Sequence, residues 1–371
     1  MSDEPHPIIN CHVHLFTMDH VPRDFLPFRL TQWLRRAPFK RAVTWALRRL
    51  GAWFGFDRLG RFADFLKISG METQDEVFQR VRGYYPSRGE HPTQFVALPM
   101  DMTHMGAGAP QEDIETQHQK LAALANGYSD TLLPFIAVDP RRVTSQDPHP
   151  GAMIERLLDQ HPGVFRGVKL YPPLGYWPED PVLMSHVFPL CQERGLPVMS
   201  HCSRGGVRSR AHIPETAARF ADPDAFLPVL DRFPELRVCL AHFGGPDDWK
   251  LYFSDPDSRE PRSVGHPDRV RMNWLSKLLG LIKSGDYPNL YTDISYTIFM
   301  FEQYMRPLKV ILNNDAVRKR VLFGSDYYMS EQEEFDERFL SMSLRAELPA
   351  DVYRDIAYGN PVRWLTGADP A

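Results

Sequence analysis

Short apolar runs recur along this chain, with stretches of helical spacing between them. Ile8-Ile9-Asn10-Cys11-His12-Val13-His14 is the first run, and after a break of about seventy residues a regular series begins. It comprises Gln94–Met100, Leu132–Val138, Val164–Leu170, Pro197–His201, Leu236–His242, Asn289–Ile294 and Val321–Asp326. Each run is short and almost continuously apolar, which predicts a strand covered on both faces. The intervals Asp113–Asn126, Gly151–Gln160, Val182–Arg194, Pro223–Phe233, Val270–Lys283 and Phe301–Lys319 have helical character, and Gly195 supplies a C-terminal stop. About eight strand–helix units predict an α/β fold of the (β/α)8 TIM barrel type. A doubly wound open sheet is the competing arrangement, but no Gly-rich phosphate loop follows an early strand, so the barrel is expected.

On this reading residues 1–371 are a single barrel domain, and its excess length is an insertion at residues 18–88, after the first strand. Val43, Ala46, Leu47, Leu50, Trp53 and Phe54 recur there at helical spacing. From Arg23 to Lys67 the segment is strongly basic. Leaving from the strand that carries the two histidines, it is expected to form a lid or an interface, a homodimer contact included. A membrane-surface helix is the alternative, and a packed cap with a solvated basic side is preferred to it.

Composition narrows the function classes. The 371 residues are 43% hydrophobic and 24% charged, which is globular and not disordered. A formal net charge of −4 argues against a nucleic-acid partner. Cys11, Cys191, Cys202 and Cys239 show no framework spacing and read as reduced thiols, and Met1–Pro7 has no signal-peptide pattern. No apolar run is long enough to span a bilayer. A cytoplasmic protein without a membrane partner is expected.

The chemistry lies at the strand ends. His12 and His14 are two apart on a strand, so both can face one metal ion. His201, His242 and Asp326 end later strands, and a barrel gathers such residues at its C-terminal mouth. Alone, either His201 or His242 reads as a buried, hydrogen-bonded histidine, and Asp326 as a turn or helix-cap residue. Their joint placement is what points to a site. After His201, the loop Ser203–Arg210 combines two glycines with Arg204, Arg208 and Arg210, which predicts contact with an anionic small-molecule substrate. Tyr171, Tyr176 and Trp177, with Tyr327 after Asp326, are expected to wall a substrate pocket. Cys11 and Cys202, next to strand-end histidines, are expected to point away from the metal and to pack.

Asn-Cys-His-Val-His, Met-Ser-His-Cys, Leu-Ala-His-Phe-Gly-Gly and Phe-Gly-Ser-Asp, with the closing Tyr358–Leu365 segment, resemble the amidohydrolase superfamily. The similarity is to the amidohydrolase-related branch that includes aminocarboxymuconate-semialdehyde decarboxylase, and it spans residues 8 to about 367 apart from 18–88. The resemblance implies one divalent ion, usually Zn²⁺, held by His12, His14, His201 and Asp326. It implies a metal-bound water with a pKa of about 7, and His242 beside it as general base or oxyanion support. Asp326 would share in moving the proton. Lys169 ends the fourth strand, where some superfamily members carry a carboxylated lysine bridging two metals; otherwise it would contact substrate as an ammonium. The expected activity is metal-dependent hydrolysis of a small carboxylated amide, ester or lactone. Non-oxidative decarboxylation or hydration of an unsaturated acid is the alternative, and a binding protein without turnover is a third.

Overall fold

Parallel strands form at the centres of the apolar runs. The computed structural model describes residues 6–25, 73–85, 92–297, 301–327 and 337–370. Strands β1 (Ile9–Val13), β2 (Gln94–Ala97) and β3 (Leu132–Pro134) pair in that order. They are followed by β4 (Ile136–Val138), β5 (Val168–Leu170), β6 (Val198–Ser200), β7 (Val238–Leu240), β8 (Leu290–Asp293) and β9 (Val321–Leu322), again in chain order. The run Leu132–Val138, expected as one strand, is β3 and β4 meeting at Phe135. There Phe135 N–H bonds back to Ala97 O and Ile136 N–H bonds forward to Gly167 O, both at 2.9 Å. The two halves therefore occupy one strand position, and the total is eight positions. The last position returns to the first. Cys11 N–H donates to Phe323 O (2.9 Å), Asp326 N–H to His12 O (2.9 Å) and His14 N–H to Tyr327 O (3.0 Å). These bonds close the sheet into a barrel.

Helices fill the crossovers that parallel pairing requires. They include α1 (Gln74–Tyr84), α2 (Ile114–Gly127), α3 (Pro150–Gln160), α4 (Phe188–Glu193), α5 (Pro214–Phe220) and α6 (Leu227–Arg232). After them come α7 (Pro246–Ser254), α8 (Trp274–Ser284), α9 (Phe301–Leu312), α10 (Glu337–Glu347) and α11 (Asn360–Thr366). Side-chain caps start several of them: Thr73 accepts from Glu76 N, Asp113 from Thr116 N and Asn273 from Ser276 N. Helix α1 lies inside the stretch 18–88 and is the β1–β2 crossover; it buries Val77, Phe78 and Val81 against the barrel. The helical positions Val43 to Phe54 and the basic residues from Arg29 to Lys67 lie outside the described residues. Among the described residues no helix is long and apolar enough to cross a membrane.

Two apolar layers sandwich the strands. A large cluster under the helices contains Val13, Phe95, Ala97, Val168 and Leu170. A smaller one fills the barrel and contains Ile9, Cys11, Val96, Phe135, Met199, Cys239 and Tyr291. Trp364 of α11 closes the bottom of the barrel with its ring 5.4 Å from Phe135. Asn360 anchors that plug by donating to Arg318 O and Val321 O. The register Ala137–Lys169–Met199–Cys239–Tyr291 runs around the interior, so Lys169 points inward among apolar neighbours.

Candidate metal centre and active site

The site begins with an irregularity in β1. Between Asn10 and Val13 the strand spends three steps against two on β2, from Phe95 to Ala97. That is a bulge of one residue. Asn10 reaches outward to Tyr85, Ser325 and Glu337, Val13 packs under the helices, and Cys11 and His12 both turn inward. This corrects the expectation for Cys11, which packs inside the barrel against the interior cluster; Cys202 packs on the helix side as expected.

The ring nitrogens that face away from the mouth fix the histidine tautomers. His12 Nδ1 lies 2.8 Å from Asp293 Oδ2, and His14 Nδ1 lies 2.6 Å from Leu98 O. Both partners only accept, so both Nδ1 atoms carry the proton and both Nε2 atoms present lone pairs. The two Nε2 atoms are 3.3 Å apart, and they lie 3.6 and 3.2 Å from Asp326 Oδ1. Asp326 has a left-handed backbone (φ 59°) and its N–H is tied to His12 O, which turns the carboxylate toward the histidines. Asp326 Oδ1 is buried without a hydrogen-bond donor. Three electron-pair donors thus face one another with no proton between them. A cation relieves that arrangement, and outer Nδ1–H bonds to a carboxylate and a carbonyl are what metal-ligating histidines use. Burial, aided by Lys169, lowers the His12 pKa to about 3, so its imidazole is neutral as a ligand must be. Burial alone would raise the Asp326 pKa, but the His14 and His12 rings beside it outweigh burial and hold the carboxyl well below the usual range.

A second group stands beside the first. His242 Nε2 is 3.0 Å from His201 Nδ1, while His201 Nε2 is held by Gly205 O at 3.0 Å. His242 Nδ1 faces Ser295 Oγ (2.9 Å) and Ser295 O (3.2 Å). His201 therefore meets His242 across the mouth and does not join the compact group of His12, His14 and Asp326. Asp293 is the residue that sequence reasoning missed. It ends β8 as Asp326 ends the last strand position, so the strand-end rule could have found it. Together with His12 and His242 it forms a second group of metal-capable atoms within 4.8 Å of one another.

A cavity opens above these side chains. His14, His201, His242 and Asp326 form its polar end, and Phe16, Phe25, Met100, Met102 and Val207 are among its apolar walls. Tyr171 lines it as expected, stacked on His201 at 4.4 Å and accepting Val207 N–H at 3.1 Å. Gly206 passes so close to Tyr171 and His201 that a Cβ there would collide with the Tyr171 hydroxyl. Three residues expected at the pocket, Arg204, Tyr327 and Arg210, are placed elsewhere. The Arg204 guanidinium does not line it: two bonds, of 2.7 and 3.2 Å, commit it to Asp248, and it stacks over Trp274 at 4.6 Å. Tyr327 is fully buried beside Tyr84 and lies outside the lining. Arg210 is drawn away to the carbonyls of Asp24 and Phe25. Lys169 lies below the cavity floor, 1% exposed, and its Nζ has no hydrogen-bond partner among the described residues. Burial lowers its pKa to about 8, against the opposing fields of Asp293 and Asp326.

Comparison with known proteins bears on the fold and the family. No curated protein sequence matches. Among solved structures, a 5-carboxyvanillate decarboxylase from Novosphingobium aromaticivorans, with bound manganese, aligns over 98% of both chains at 15% identity and a TM-score of 0.56. A probable 2-pyrone-4,6-dicarboxylic acid hydrolase from Acinetobacter baumannii aligns over 97% of this chain and 99% of its own, at 14% identity and a TM-score of 0.55. A 2,6-dihydroxybenzoate decarboxylase from Rhizobium covers the same shares at 12% identity and 0.54. These likenesses concern the fold, a TIM barrel. The amidohydrolase family profile matches residues 9–366, and the chain belongs to that family.

Proposed function

We propose that the protein is a metal-dependent hydrolase acting on a small carboxylated amide, ester or lactone. The observation that carries this reading is the donorless group of His12 Nε2, His14 Nε2 and Asp326 Oδ1 at the polar end of an otherwise apolar cavity. Imidazole and carboxylate donors suit Zn²⁺, and His201, which lines the same cavity, would be a further ligand. When bound, the ion supplies a Lewis acid that polarises water and the substrate carbonyl. His242 takes the proton role: its Nδ1 proton is held by Ser295, so Nε2 can accept a proton from attacking water and pass it to the leaving group. Among the described cavity-lining residues there is no arginine or lysine. The substrate's carboxylate is read as meeting the metal end, while its body lies against Phe16, Phe25 and Met102.

The apolar wall also favours a second reading, decarboxylation, in which a dry environment destabilises the carboxylate and His242 delivers a proton to carbon. One experiment separates the two. Metal-loaded protein is offered carboxylated lactones and aromatic or unsaturated acids in ¹⁸O-labelled water. Hydrolysis is expected to place ¹⁸O in the product acid with no CO₂ released; CO₂ release without incorporation into the organic product would replace hydrolysis by decarboxylation.

A further inference from the structure

One carboxylate touches both halves of the site. Asp293 is fully buried at the end of β8. Its Oδ2 accepts His12 Nδ1–H at 2.8 Å. Its Oδ1 accepts the backbone N–H of His242 at 2.9 Å, the N–H of Ser295 at 3.0 Å and the hydroxyl of Ser295. Because the Ser295 proton goes to Asp293, the Ser295 oxygen is left to accept, and it stands 2.9 Å from His242 Nδ1. The His242 backbone is left-handed (φ 70°), a conformation costly for a residue with a side chain. It is held from outside, by Asp293 on its N–H and by the Thr297 hydroxyl on its carbonyl.

We propose that Asp293 is a positioning residue that gives His12 and His242 the same tautomer, with Nδ1 protonated and Nε2 bare, and fixes the turn that presents His242. The metal ligand and the proton carrier would then be oriented by one group, directly on one side and through Ser295 on the other. The arrangement rests on the proposed role of His12 as a metal ligand. A carboxylate is needed because it only accepts. An asparagine can keep its oxygen on the three donors of the His242 turn, but its amide must then donate toward His12 Nδ1. That drives the His12 proton to Nε2, where it blocks the lone pair aimed at the metal group.

The test uses the full chain with ¹⁵N-labelled histidine, metal-free, and long-range ¹H–¹⁵N correlations that report which ring nitrogen is protonated. In the wild-type protein His12 and His242 are expected as Nδ1–H tautomers. Asp293→Asn is expected to keep the fold and the His242 tautomer, to move the His12 proton to Nε2, and to weaken zinc binding roughly 10- to 100-fold in competition with a chromogenic chelator. Asp293→Ala is expected to do the same and also to speed amide exchange at His242 and Ser295. Wild-type His12 protonated at Nε2 overturns the proposal, whatever the variants do. A folded Asp293→Asn with the wild-type tautomer at His12 and zinc affinity within about twofold overturns it as well. Should Asp293→Asn fail to fold, the wild-type tautomers decide alone. If the wild-type protein bound no zinc, the metal reading would fall while the tautomer measurement still judged Asp293.

Discussion

His12, His14 and Asp326 were legible as a group because a strand alternates its faces and a barrel brings strand ends together. What the sequence does not show is where each side chain's partners are. Arg204 looked like an anion receptor, yet Asp248, forty-four residues away, takes its guanidinium. Lys169 looked functional and points inward, but its lack of a hydrogen-bond partner among the described residues is a fact of packing. Replacing either His14 by alanine or Asp326 by asparagine is expected to cut bound zinc, read by metal analysis, because each removes one of three converging donors. His242→Ala should keep the metal and lower kcat by roughly 10²–10⁴-fold, the range for a lost general base. Lys169 offers a prediction independent of substrate. Its folded pKa of about 8 lies below the value near 10.4 of a free lysine. At neutral pH the folded state must bury the charge, and stability rises with pH between the two values because the unfolded chain holds more protons there. The penalty is on the order of 3 kcal/mol at pH 7. Lys169→Met is therefore expected to stabilise the metal-free protein at pH 7 in urea titrations, with the gain shrinking as pH approaches 10. Equal or lower stability at pH 7 would mean that the folded metal-free protein does not bury an uncompensated Lys169 charge, and the account of its burial would fail.

At the scale of elements, the apolar runs located every strand among the described residues, because strands covered on both faces need no alternation to be visible. The sequence misled where the backbone departs from the regular pattern. A bulge between Asn10 and Val13 turns Cys11 inward alongside His12, and no composition cue marks it. The helix read at Val182–Arg194 opens with a wide turn at Leu183–Val187 before α4. The Phe-Gly-Ser-Asp motif was legible as a strand end, but the reason for its glycine is visible only across the barrel seam. A Cβ on Gly324 would stand 2.8 Å from His12 Cβ and 3.3 Å from Ser295 Cβ. Gly324→Ala must push β9 away from β1 or rotate His12 off the metal group. It is expected to cost about 1–3 kcal/mol, as overpacking does, and to weaken zinc binding as well. A thermal melt and a chelator titration would show both losses; a stable variant with unchanged zinc affinity would mean that the seam is loose.

The whole molecule is expected to carry a pH dependence that composition could not reveal, because it comes from the burial of individual histidines. His118, on α2, accepts the N–H of Ala137 on β4 at 2.9 Å through Nε2. It is fully buried, and burial lowers its pKa to about 4. His20 accepts Thr17 N–H at 3.1 Å, and burial, only partly offset by Glu112, brings it to about 4 too. Both folded values lie below that of a free histidine, near 6.5. Between 6.5 and 4 the unfolded chain takes up protons that the folded chain refuses, so stability falls as pH falls. Each site accounts for about 3 kcal/mol across that window. Asp293 and Asp326, held below the usual carboxylate range, add their losses only at lower pH. The protein is thus expected to lose stability steeply below pH 6.5, ahead of general carboxylate protonation. His118→Leu separates this effect from ordinary acid denaturation. At neutral pH it should be less stable than wild type by about 1–3 kcal/mol, since Ala137 N–H loses its acceptor. Its unfolding free energy should then fall less steeply with acid, by close to one proton in the slope, so that the two curves converge near pH 4. Parallel curves from pH 7 to pH 4 in urea titrations would show that His118 is protonated in the folded protein, and the account of its burial would fail.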